Sequence, residues 1–80
     1  MRVEVRFKWR RLWHRAQVDA DGVVVVERWA PAADDNLDAS EVVRVGTGRW
    51  NEATKQIEAH DLEADLSRAA STAIGAILRS

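Results

Sequence analysis

The residues best equipped for chemistry in this chain are two imidazoles, His14 and His60, and the carboxylates that follow the second of them, Asp61 and Asp65. One nitrogen and two acids near a helix start could be drawn as a metal cluster. Acids at that position more often cap the helix or complement its dipole, and that reading is preferred. Cysteine and tyrosine are both absent, which removes thiol nucleophiles, disulfides and cysteine zinc sites together. Gly46-Thr47-Gly48 lacks the longer glycine spacing and the lysine of a phosphate loop, so it reads as a turn. Ser71 and Gly75 form a small-xxx-small step, which inside a water-facing domain accommodates a sheet. No catalytic residue, metal ligand or cofactor is assigned on these grounds, and the chain is expected to work by binding and not by catalysis.

Binding chemistry has more material. Residues 1–18 carry Arg2, Arg6, Lys8, Arg10, Arg11 and Arg15 against Glu4 alone, whereas the stretch from Asp19 to Leu66 is strongly acidic, and the whole chain sums to −1. Such segregation allows a dipolar surface if folding does not interleave the blocks. Tryptophan occurs four times, and Trp13 sits inside the basic segment. Basic side chains that hold phosphates beside an aromatic that stacks on a base would suit single-stranded nucleic acid, although a net-negative total disfavours it.

Placing these side chains requires elements. At 80 residues, with 46% apolar and 31% charged side chains, the chain is expected to form one small domain, residues 1–80, with one core. Val3, Val5, Phe7 and Trp9 alternate with Arg2, Glu4, Arg6 and Lys8, the period of a strand buried on one face, over about 2–9. Alternation resumes one step out of phase over about 12–19, so Arg10-Arg11 is either a tight turn or a bulge. Asp19-Ala20-Asp21-Gly22 reads as a four-residue hairpin loop that sets Val18 opposite Val23. That register pairs Gln17 with Val24, Arg15 with Val26 and Trp13 with Arg28, and turns Val24 and Val26 toward the face shared with Trp13.

Ala30 to Ser40 reads as a loop, Glu41 to Gly46 as a short strand, and residues 49–58 as strand or helix, with strand preferred because the glycine turn favours a return. Leu62, Leu66, Ala69, Ala70, Ala73, Ile74, Ile77 and Leu78 recur at helical spacing, which predicts a helix over about 61–79 with Asp61 as its N-cap. Ile57 falls about 180° from Leu66 on a continued helix, so a break is expected near His60. The predicted fold is α+β: an antiparallel sheet of four or five strands with one C-terminal helix on one face, in two layers.

Function is then expected at the sheet's other face. The leading site is Trp13, Arg15, Val24, Val26 and Arg28, an apolar and aromatic centre ringed by arginine as found where proteins meet. Arg6, Lys8, Arg10 and Arg11 with Trp13 form the nucleic-acid alternative. Asp34, Asp35, Asp38 and Glu41 offer an acidic loop for a basic protein partner. A homodimer that covers the patch is a third reading, and an inhibitor or accessory protein of the kind carried by phages and mobile elements suits the size and the lack of motifs. Without cysteine, an apolar leader or a stretch of spanning length, the chain is expected to be cytoplasmic and away from membranes.

Overall fold

The computed structural model describes residues 2–30, 41–58 and 60–79. Among the described residues five strands, β1 (Val3–Trp9), β2 (Leu12–Val18), β3 (Val23–Ala30), β4 (Glu41–Asn51) and β5 (Gln56–Glu58), precede one helix, α1 (Ala64–Arg79). The strands form one antiparallel sheet in the order β1-β2-β3-β4-β5, each beside its neighbour in sequence. The helix packs on one face and touches both edge strands, β1 and β5, so the molecule is a two-layer α+β structure in which the sheet wraps the helix.

Two turns decide which side chains share a face. Arg10 and Arg11 form a two-residue turn with φ of 50° and 68°, and Trp9 pairs with Leu12 across it. Both positive angles belong to the turn whose twist suits a hairpin, which places Val3, Val5, Phe7 and Trp9 beside Val18, Ala16, His14 and Leu12 on the helix side. In the second turn Asp19 N–H donates to the Val23 carbonyl at 3.0 Å, Gly22 N–H donates to the Asp19 carbonyl at 3.1 Å, and Gly22 has a φ of 84°. The loop is therefore three residues closed by a left-handed glycine bulge, not four.

That single residue corrects the expected register. Val18 pairs with Val24, Ala16 with Val26 and His14 with Arg28. A one-residue slip exchanges the two faces of a strand. Val24 and Val26 accordingly lie under the helix, each 0% exposed, in a core with Ala16, Val18, Trp50, Ile57, Leu62, Leu66, Ala70 and Ile74. Burial of a valine is worth about 1.5–3 kcal/mol per side chain, and the three-residue loop decides that Val24 and Val26 take the interior while Val23 and Val25 are left half-buried outside.

A second correction concerns Gly46-Thr47-Gly48, which is no turn but the middle of the eleven-residue β4. Val26 pairs with Gly46 and Val24 with Gly48, so both glycines face the helix side. A Cβ on Gly46 would lie 2.5 Å from Leu62 Cδ2 and 2.8 Å from Asp61 Oδ1, and one on Gly48 would meet Ile57 Cγ2 and, at 2.8 Å, His60 Cβ. The glycines thus form a floor on which the segment leading into α1 rests. The register shifts after Val26, with Glu27 opposite Arg44, which leaves Val45 as the extra residue of a bulge.

The strand preferred for residues 49–58 resolves into the end of β4, a turn and β5. Asn51 Oδ1 accepts from the Ala53 and Thr54 amides, and Lys55 closes the turn at a φ of 58°. His60 lies between β5 and the helix, where a break was expected. Asp61 does not cap α1: its Oδ1 accepts from Thr47 N–H at 2.8 Å, and the first helical bond runs from Ser67 N–H to the Glu63 carbonyl. Ser71 Oγ accepts from the Ile57 amide at 3.0 Å and donates to the Ser67 carbonyl at 2.7 Å, so the helix satisfies the outer edge of β5.

Candidate functional site

Strand alternation leaves one face of the sheet without a helix among the described residues. It carries Arg6 and Lys8 from β1, Trp13, Arg15 and Gln17 from β2, Val25, Glu27 and Trp29 from β3, and Val42 and Arg44 from β4. Trp13 is 54% exposed, the most exposed of the large apolar side chains among the described residues, and pairs with Lys8. Trp29 is half-buried on the same face, with the Arg6 and Arg15 guanidinium carbons 5.5 Å and 5.7 Å from its ring centre. Each contact lies within cation–π range.

Arg15 organises this surface. Its Nη2 donates to Glu27 Oε1 at 2.8 Å and its Nη1 lies 3.6 Å from Glu4 Oε1. The hydrogen bond to Glu27, aided by the charges of Glu27 and Glu4, raises the guanidinium pKa above its ordinary value. Its Nε is buried without a hydrogen-bond partner among the described residues, a cost of about 1–3 kcal/mol that the ion pairs and the Trp29 contact offset. Glu27 in turn faces Arg44 across β3 and β4. The centre of the face is thus charge-paired, while Arg6 and Lys8 have no carboxylate partner among the described residues.

Of the leading set, the fold keeps Trp13 and Arg15 together on this face and removes the rest. Val24 and Val26 are core, and Arg28, opposite His14, is exposed on the helix side. Of the alternative set, Arg6 and Lys8 join Trp13, while Arg10 and Arg11 sit at the adjoining hairpin tip. Arg10 is drawn to the helix side, with Nη2 2.8 Å from Glu63 Oε1 and its guanidinium 4.4 Å from the Trp9 ring centre. Asp34, Asp35 and Asp38 lie outside the described residues; Glu41 opens β4 opposite Ala30, and its side chain lies outside them too.

Trp29 belongs to the free face and was not singled out from the sequence. The signal for it was Glu27: a charge two residues earlier on a strictly alternating strand puts Val25 and Trp29 on the same side. Adjacent Arg28 gave the opposite signal, which is why the pair alone did not settle the phase. The two imidazoles part company. His14 is 2% exposed, donates through Nδ1 to the Leu12 carbonyl at 2.9 Å, stacks on Phe7 and meets Trp9 edge-on. His60 is exposed. No group of three or more His, Cys, Asp or Glu among the described residues is placed to hold a metal ion. No helix among them is long and apolar enough to cross a membrane. No protein-family model matches the chain, and neither a curated protein nor a solved structure is detectably similar to it.

Proposed function

We propose that this chain is a non-enzymatic module that binds a protein partner through the helix-free face, with Trp13 and Trp29 as anchors and Arg6, Arg15 and Lys8 around them. The observation that carries this reading is the half-exposed Trp13 beside a second tryptophan bracketed by two arginines. Tryptophan and arginine dominate the energetics of protein interfaces, and a strand framework holds them at little further entropic cost. The Arg15–Glu27 pair at the centre favours a protein over a polyanion, because Glu27 repels phosphates and Arg15 is already engaged. A small protein with one such face suits an inhibitor or accessory factor that occludes a surface of a larger assembly.

A second reading, single-stranded nucleic acid, has its own support. Arg6 and Lys8 lie on the Trp13 side without carboxylate partners among the described residues, and a tryptophan beside a lysine on an open sheet is a stacking platform.

One set of proteins separates the two. Tagged wild type and Trp13→Ala are used to capture partners from the source cell, and the captured protein is then titrated against each by calorimetry. Trp13→Ala is expected to weaken that complex by about tenfold or more. Equal affinity of the two would remove the free face from the interaction. Titration of labelled oligonucleotides at low and moderate salt decides the other reading, since phosphate-driven binding at low salt must fall steeply with added salt. Sedimentation of the wild type alone reads self-association through the same face.

A further inference from the structure

A groove of about 530 Å³ runs between the helix and the β4–β5 turn, on the other side of the molecule from Trp13. Ala64, Arg68, Thr72, Gly75 and Arg79 recur at steps of three and four and line it as one helical stripe with Leu78 of the same helix, facing Ile57 of β5, with Lys55 and His60 on the rim. No acidic side chain among the described residues lines it. Gly75 is a helix-interior glycine whose solvent exposure is low, yet a Cβ built there meets nothing within 4 Å among the described residues. The fold of this chain therefore does not need a glycine at that position, although glycine disfavours a helix relative to alanine. The space above it is open to another molecule.

Arg68 and Arg79 stand about 16 Å apart along the helix axis, the length of about five residues of extended chain. Arg79 Nε donates to the Gly75 carbonyl, which holds its side chain back along the groove, and Arg68 has no carboxylate partner among the described residues. We infer that this groove binds an extended acidic peptide segment of a partner protein, with carboxylates about five residues apart on Arg68 and Arg79 and a small apolar residue packed over Gly75. A single small anion would engage one arginine and leave the apolar middle empty, whereas an extended chain fills both. The site stands on observations separate from the tryptophan face, and its fate does not decide that of the other.

The probe is a synthetic blocked peptide, Asp-Leu-Ala-Ala-Leu-Asp, added to the isotope-labelled full chain and followed by amide chemical shifts. Shifts are expected at Ile57, Ser71 and Gly75 and not at Trp13 or Arg15. Arg68→Glu and Arg79→Glu should each weaken binding by about fivefold. Gly75→Leu should abolish it. Gly75→Ala, which keeps and strengthens the helix, should raise the melting temperature while still weakening the peptide, so a loss of binding is read in a folded protein. Equal binding by the peptide with Asn in place of both Asp, unchanged affinity of Gly75→Ala, or shifts centred on Trp13 would each overturn the assignment.

Discussion

Val25 and Val26 are adjacent, chemically identical and on opposite sides of the sheet, which makes them a clean measure of what burial contributes. Val26 touches the helix-covered core, while Val25 is half-buried on the open face. Val26→Ala is expected to cost about 2–3 kcal/mol in urea denaturation and Val25→Ala less than about 1 kcal/mol. A larger loss at Val25 than at Val26 would mean that the alternation has been placed on the wrong phase. At this scale the sequence was legible where charge and apolar residues alternate, as in β1, and opaque where four valines run together. Val23 to Val26 carry no polar residue to mark a phase, so the assignment fell to the preceding loop. Trp13 was read on the open face correctly because His14, Ala16 and Val18 alternate against it.

At the scale of elements, turn geometry supplied what periodicity lacked. Gly22 signalled a left-handed position in the sequence, but the same residues fit a three- or a four-residue loop, and only the Asp19–Val23 pairing distinguishes them. Gly46 and Gly48 misled in the opposite sense, because glycine serves both tight turns and close approaches. Here Leu62 and His60 take the space where their side chains would be. The first turn places non-glycine residues at positive φ, and Arg11 makes no hydrogen bond or ion pair among the described residues. Arg11→Gly is expected to raise stability by about 1 kcal/mol by relieving that backbone, read as a higher urea midpoint at unchanged slope.

The β4–β5 turn adds a pH dependence. Lys55 Nζ and Trp50 Nε1 both donate to the exposed Glu52 carboxylate, at 3.1 Å and 2.9 Å, and hold its pKa below the ordinary carboxylate value, the Lys55 bond being the larger cause. A carboxyl group depressed on folding stabilises the protein above its unfolded pKa and loses that contribution as pH falls through the folded one. The stability difference between wild type and Glu52→Gln should therefore shrink as the solution is acidified through the carboxylate range. A constant difference across that range would contradict the assignment.

For the whole molecule, the two-layer architecture was predictable because one strong strand pattern and one strong helix pattern admit few other arrangements. What composition hid was how charge distributes in space: the basic first hairpin turns Arg6, Lys8 and Trp13 outward on one side. Several acids of the middle block, Asp61, Glu63 and Asp65, gather instead where the helix begins. The helix closes against β1 chiefly through burial of Leu66, Ala70 and Ile74, with Arg10–Glu63 an exposed pair at one end. Ile74→Ala is expected to cost about 2–5 kcal/mol and Glu63→Ala no more than about 1 kcal/mol, measured in the same denaturation series. A larger loss at Glu63 would make the pair, and not the interior, the principal fastening.

The helix is last in chain order but its partners include the first strand. On the ribosome the meander can zip as it emerges, each new strand finding its neighbour already made, yet the lid of its greasy side arrives only after every strand has left the tunnel. Until then Phe7, Trp9 and the inward valines stand uncovered.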